Sequence, residues 1–358
     1  MFEDLLSVKK PKISILTPSL NHGRFLVDTI ESILSQSYRN FEHIVFDGGS
    51  TDNTIEILKK YPHIRWISEK EDNIVQAFRR GLDMAKGEYV MQCCVSDGYL
   101  NKDWFKHCVE ILDSDEEVSL VWGLPQYMTE DGYLRNISYV EFFNDHPPQK
   151  MDFFPFWLAT GFWYPEGNYC VSRRGFDICL PKDDPRDPFI DHLHMGFIYN
   201  FNALGYLPYF LPVIANYGRT HEDSRGKRLS NIEMPIMDRY YRYVKDYKNK
   251  FLKGSSIHVF KNRVSTILKE VTHAEIRKCR WKILRYRIIN SRCVRTDIYT
   301  MQKKLRKKIK DKQLLSSIKK FYSTFFEGYR NIFTWQNTLN KIFKKTKYNL
   351  KEIFLKFS

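Results

Sequence analysis

What the sequence lacks narrows the field first. The 358-residue chain has seven cysteines but no Cys-x-x-Cys pair, which excludes a zinc ribbon and disfavours a disulfide framework. It has no run of about 18 apolar residues, so no bilayer-spanning helix is expected. Met1 to Lys12 hold no apolar stretch behind a basic start, so a secretory leader is not expected and a reducing, cytoplasmic setting is. Neither a Gly-x-Gly-x-x-Gly fingerprint nor a Gly-rich loop ending in Gly-Lys-Ser/Thr occurs, against a Rossmann dinucleotide site and a P-loop. After residue 245 proline is absent and only Gly254 and Gly328 remain, so long helices are expected there.

What is present is an apolar fraction of 43% with 15% aromatics, enough for a sizeable core. Charge is split along the chain. Residues 245–358 carry 31 Lys and Arg against 7 Asp and Glu, whereas residues 1–244 carry 26 against 35. An acidic body is thus followed by a strongly basic extension, and the two call for separate readings.

Within the body, strand and helix signals alternate. Lys12 to Thr17 is short and β-branched and reads as a strand stopped by Pro18. Phe25, Leu26, Ile30, Ile33 and Leu34 recur at helical spacing over Arg24 to Gln36. Strands are then expected over 41–46, 64–68 and 88–95, with helices over 52–60, capped by Thr51 or Asp52, and 74–85. This order predicts an α/β fold, a mostly parallel sheet with helices on both faces. The polar segments sit at strand C-terminal ends, where open sheets bind ligands. They are Thr17-Pro18-Ser19-Leu20-Asn21, Asp47-Gly48-Gly49-Ser50-Thr51-Asp52 and Ser96-Asp97-Gly98. A carboxylate there can accept hydrogen bonds from a base or ribose, or hold a cation on a diphosphate. The same residues also suit a plain turn and helix cap.

Taken in order, these segments, together with Ala77 to Gly81 and Ala85-Lys86-Gly87-Glu88, resemble a family 2 glycosyltransferase of the GT-A fold, of the bacterial cell-surface glycan type. The resemblance is close over residues 12 to about 100 and looser over 165–225. It implies a nucleotide-sugar donor, UDP-sugars being the commonest, a divalent cation (Mn²⁺ or Mg²⁺), and inverting transfer to a glycan or glycolipid hydroxyl. Thr17, Pro18, Asn21, Asp47, Arg79, Ser96, Asp97 and Arg219 would bind the donor, and Asp97 and His221 the metal. The family's metal motif ends in a second acid, which here is Gly98, so one oxygen ligand is missing. Gly167 to Phe176 resembles the acceptor-side strand. The base is expected on an acidic segment that starts a helix, which points to Asp191, with Asp187 as runner-up and Asp183 and Asp184 as loop acids. Asn216 to Ser224 resembles an Arg-x-His-x-x-Ser segment. His192, His194 and Cys179 match no zinc spacing.

Boundaries follow from this: a transferase domain over 1–244, its nucleotide half about 10–100 and its acceptor half about 100–244, then a basic helical extension over 245–358. The aromatic stretch Phe153 to Tyr164 suits either core or an apolar platform for a lipid-linked acceptor. In the extension, cations mixed with Trp281, Tyr286 and Ile288, and later Ile318, Phe321, Phe325 and Trp335, suit a helix lying on an anionic membrane, which would place the protein peripherally on the inner face of the cell membrane. A partner-binding or solvated helix fits the same composition, and nucleic acid is disfavoured because no recognition motif accompanies the charge. The alternative function is a catalytically impaired GT-A-like scaffold held at a membrane by the extension.

Overall fold

The structure, a computed structural model, describes residues 10–70, 73–134, 147–222 and 230–289. The chain divides into units 1–291 and 292–358; the second, with Ile318, Phe321, Phe325 and Trp335, lies outside the described residues.

Eight strands form one sheet in the order β3-β2-β1-β4-β7-β6-β8-β5. They are β1 (Ile13–Ser19), β2 (Phe41–Asp47), β3 (Ile64–Ser68), β4 (Tyr89–Gln92), β5 (Gly98–Tyr99), β6 (Val118–Met128), β7 (Tyr169–Ser172) and β8 (Leu207–Arg219). The first four pair in parallel, as do β6 and β8; β7 enters antiparallel to both β4 and β6, and β5 antiparallel to β8. The helices are α1 (Gly23–Leu34), α2 (Thr54–Leu58), α3 (Ile74–Met84), α4 (Trp104–Ser114), α5 (Phe153–Thr160), α6 (Arg173–Cys179), α7 (Leu193–Ala203), α8 (Ser230–Leu252) and α9 (His273–Ile289). Between the last two, a two-stranded hairpin pairs β9 (Val259–Lys261) with β10 (Ile267–Glu270).

Strand periodicity sorts the side chains into layers. From β1, Ile13 and Ile15 pack on Trp104, Phe105 and Leu112 of α4, while Leu16 faces the opposite core with Phe78 of α3 and Trp157 of α5. On β2, Ile44 and Phe46 share that larger core, and Val45 turns to Leu26, Ile30 and Ile57 under α1 and α2. Gly81 on α3 lets the Phe46 ring approach, since a Cβ there would lie 2.7 Å from it.

One expectation changes and one open alternative closes. Strand β1 runs through Pro18 to Ser19 instead of stopping, because its pairing with β4 ends at Leu16 and a missing N–H beyond that point costs no ladder bond on that side. The aromatic stretch is core: Phe153, Phe154, Phe156, Trp157 and Tyr164 are all buried, so it offers no platform.

Residues beyond 244 join the same body. Helix α8 crosses the expected boundary and buries Ile236, Tyr240, Val244 and Phe251 along one face. The Trp157 indole N–H donates to the Tyr240 hydroxyl at 3.0 Å, and His258 stacks on Phe154 at 3.6 Å. On α9, Ile276 and Ile283 are buried, with Cys279 and Tyr286 packed beside them. Among the described residues no helix is long and apolar enough to cross a membrane.

Candidate active site

The C-terminal ends of β1 to β4 open on a cleft of about 830 Å³. Its far wall is the turn before β7, the start of α7 and the end of β8. Asp47, the last residue of β2, and Asp97, between β4 and β5, both line it.

Asp47 is buried and organises its own loop. Its Oδ2 accepts from the backbone N–H groups of Gly49 (3.0 Å) and Ser50 (2.8 Å) and from the Ser68 hydroxyl (2.7 Å), and its Oδ1 accepts from the Ser50 hydroxyl. The turn needs Gly49 at φ +83°, a conformation that costs glycine nothing. Asn21, at φ +55°, locks the β1 loop to this one: its N–H donates to Ser50 Oγ at 2.7 Å and its Oδ1 accepts from the Thr51 N–H at 2.8 Å. Asp52 ties two helix starts together, accepting from the N–H groups of Gly23 (2.9 Å) and Thr54 (3.0 Å).

Asp97 sits deeper. Its Oδ1 accepts from the Arg219 backbone N–H at 3.1 Å, and burial, reinforced by the Glu166 carboxylate, holds its carboxyl up at about 7 against the pull of Arg219. The Arg219 guanidinium is buried, paired to Asp28 at 2.6 Å and lying over the Phe25 ring at 4.9 Å. Its Nε makes no hydrogen bond among the described residues. His221 packs against His22 and Phe25 on the same wall.

The missing second acid has a steric reason. A Cβ at Gly98 would lie 2.5 Å from the Tyr217 hydroxyl and 2.6 Å from Ser32 Oγ, so a side chain there points into the sheet's packing and not into the cleft. The second carboxylate near Asp97 comes instead from Glu166, which sequence reasoning missed. The one hint was the polar turn Pro165-Glu166-Gly167-Asn168 directly ahead of the predicted acceptor-side strand.

Of the predicted site residues, Pro18, Asp47, Ser96, Asp97, Arg219 and His221 come together in the cleft. Thr17 lies behind it, its hydroxyl on His43 Nε2 at 2.9 Å. Arg79 turns away, donating to the Pro181 carbonyl at 3.1 Å, and its neighbour Arg80, paired to Glu69, lines the cleft in its place. Asp191, expected as the base, is not brought to the cleft; Arg239 of α8 holds its carboxylate at 2.7 Å. Asp187 caps its own loop through the N–H groups of Lys182 and Phe189, both at 2.8 Å, and Asp183 accepts from Asn73 and Gln76 at the start of α3. The α7 wall instead presents His192 and His194, the latter kept below its ordinary range by burial.

Among the described residues no three His, Cys, Asp or Glu side chains form a cation cage. One carboxylate that shares a cation with substrate phosphates suits Mg²⁺ and similar ions, and Asp97 on the cleft wall fits that mode.

Residues 14–165 match the profile of Glycosyl transferase family 2. Over that segment, less than half of its length, the chain is similar to the family. The sheet, parallel through β3-β2-β1-β4 and antiparallel where β7 enters, accords with the GT-A expectation. Chondroitin synthase of Escherichia coli is 29% identical over 36% of this chain and 19% of its own length. Glycosyltransferase GlyG of Streptococcus pneumoniae is 40% identical over 22% of this chain and 28% of its own. The chain therefore spans less than a third of either relative. Among solved structures, S. aureus TarS 1–349 in complex with UDP-GlcNAc aligns at a TM-score of 0.44 with 18% identity, covering 60% of each chain.

Proposed function

We propose that this chain is a family 2 glycosyltransferase that transfers a sugar from a nucleotide-sugar donor, a UDP-sugar first among candidates, to a hydroxyl of a glycan or lipid-linked glycan, inverting the anomeric carbon. The observation that carries the proposal is the convergence of Asp47 and Asp97 on one cleft beside the buried Arg219. In this reading the Asp47 loop, Pro18 and the Gly48-Gly49 backbone receive the nucleoside. Thr17 and Asn21 position those loops from behind. Asp97 and Ser96 face the diphosphate, with Arg219 Nε aimed at its oxygens and His221 beside them. A divalent cation bound at Asp97 would offset the charge that grows on the leaving diphosphate.

The acceptor class draws support from relatives named for chondroitin and hyaluronan synthesis. A peripheral position on the cytoplasmic face of a membrane draws support from α9. Its inner face is Ile276, Cys279, Ile283 and Tyr286, and opposite them Trp281 is 75% and Leu284 46% exposed among Arg277, Lys278, Arg280 and Arg285. Cations around an exposed aromatic suit anionic headgroups.

The test is a thermal-shift panel of UDP-, GDP- and dTDP-sugars with Mn²⁺ or Mg²⁺, followed by donor-consumption assays. A bound donor raises the melting temperature by mass action. Wild type should respond to at least one donor and consume it, and Asp97→Asn should do neither. A wild type that binds and consumes none of them overturns the reading.

A further inference from the structure

We infer that Glu166 is the general base of this chain, taking the place expected for Asp191. The inference rests on the transfer reading and goes on to name the group that receives the acceptor's proton.

Among the described residues, four acids line the cleft: Asp47, Glu69, Asp97 and Glu166. Asp47 is buried and accepts four hydrogen bonds from its own loop and from Ser68. Glu69 is ion-paired with Arg80 on the nucleoside side. Asp97 is bound from behind by the Arg219 N–H and faces the diphosphate side. Glu166 alone of the four is both exposed and within electrostatic reach of the two walls, acting on Asp97 and Cys94 on one side and on His194 and Tyr169 on the other. Asp191, held by Arg239 outside the cleft, has no such access.

The carboxylate is also positioned. The Gln92 side-chain N–H donates to Glu166 Oε1 at 3.0 Å from the end of β4. The turn that carries it is pinned by the buried Asn168. Its N–H donates to the Pro165 carbonyl (3.2 Å), its Oδ1 accepts from the Gly123 N–H (2.6 Å), and its Nδ2 donates to Asn216 Oδ1 (2.6 Å). Gly167, at φ +72°, completes the turn and brings the backbone close to Asp97, where a Cβ would lie 3.9 Å from Oδ2. A side chain held this way meets the need for a fixed base, with the cation and the base carried by separate carboxylates.

In the step, the acceptor oxygen forms its bond to C1 of the donor sugar as the bond from C1 to the diphosphate oxygen breaks. That electron pair leaves with the nucleotide, and the hydroxyl proton passes to Glu166. Water can stand in for the acceptor and loses its proton the same way. Azide has no proton to lose and needs no base.

The experiment uses the full chain with Mn²⁺ and the donor that wild type consumes, starting from UDP-N-acetylglucosamine and UDP-glucose. Hydrolysis and azide transfer are followed in wild type, Glu166→Gln and Glu166→Asp. Electron paramagnetic resonance reads Mn²⁺ binding with UDP present. Glu166→Gln should lose about 100-fold or more in hydrolysis, keep azide transfer within about threefold with inverted glycosyl azide as product, and keep Mn²⁺–UDP affinity within about twofold; Glu166→Asp should recover part of the hydrolysis. Wild-type hydrolysis by Glu166→Gln overturns the inference, as does an equal loss of azide transfer. A collapse of Mn²⁺ binding overturns it too, since Glu166 would then be a cation ligand. A wild type that turns over no donor sinks the transfer reading itself, whereas an active wild type with an unimpaired Glu166→Gln sinks this inference alone.

Discussion

Restoring the acid that the family motif lacks should damage this protein. A Cβ at position 98 would stand 2.5 Å from the Tyr217 hydroxyl, 2.6 Å from Ser32 Oγ and 2.7 Å from Tyr217 Cε1. Tyr217 is buried on β8, so its ring cannot swing clear without shifting packed neighbours, and Ser32, half-buried on α1, would have to give up the hydrogen bond from its hydroxyl to the Thr29 carbonyl. Overpacking of this kind costs about 1–3 kcal/mol. A domain of this size loses roughly 2–4 °C of melting temperature per kcal/mol. Gly98→Ala should therefore melt roughly 2–12 °C lower by calorimetry. Gly98→Asp should fall further, because it adds a charge to a buried polar contact, and it should gain no Mn²⁺ affinity by isothermal titration. Gly98→Ala with Tyr217→Phe removes the nearest atom and should recover part of the loss. An unchanged melting temperature for Gly98→Ala, or tighter Mn²⁺ binding by Gly98→Asp, would refute the steric account.

Four further outcomes are expected. Burial holds His43 and His258 neutral, each with its pKa lowered from 6.5 to about 3, so the unfolded chain binds up to two more protons than the native one between those values. Their stabilising contribution is complete above pH 6.5 and is lost as pH falls towards 3, at up to about 2.7 kcal/mol per pH unit for the pair. Urea titrations across that window should show this slope, and His258→Phe should remove about one proton of it. Arg79→Ala should leave donor affinity within about twofold in a thermal-shift titration, while Arg80→Ala weakens it. Asp191→Asn should keep donor turnover within about twofold, in contrast to Asp97→Asn. Trp281→Ala with Leu284→Ala should cut co-sedimentation with phosphatidylserine vesicles severalfold while donor turnover stays at the wild-type level.

The first hundred residues were legible because their signals are local. Alternating Ile13, Ile15 and Ile44, Phe46 and the glycines of the Asp47 loop each act within a few residues of themselves, and the elements fall within a few residues of where the periodicity places them. The far wall was not legible. Glu166 reaches Asp97 only because β7 inserts antiparallel beside β4, a pairing across about 80 residues that no local pattern records. Asp191 stands just ahead of α7, and Arg239 on a later helix pairs with its carboxylate away from the cleft, a contact that no local pattern records either. The hairpin of β9 and β10 was hidden by a composition that reads as helical throughout, although Gly254 marks the end of α8.

Gly205 makes the last of these features consequential. At φ +90° it lets the Val259 carbonyl come so near that a Cβ would lie 1.8 Å from it, and its own carbonyl accepts from the Lys261 N–H at 2.8 Å. The hairpin is thus stitched to the turn that ends α7, with Phe154 stacked beneath it. A shortened chain ending at residue 244 would strip the cover from Phe154 and Trp157 and leave a sticky, half-finished body. The basic segment up to α9 is, in that sense, a foundation wall and not a detachable annex, and a transplant of the catalytic half into another protein has to carry it along.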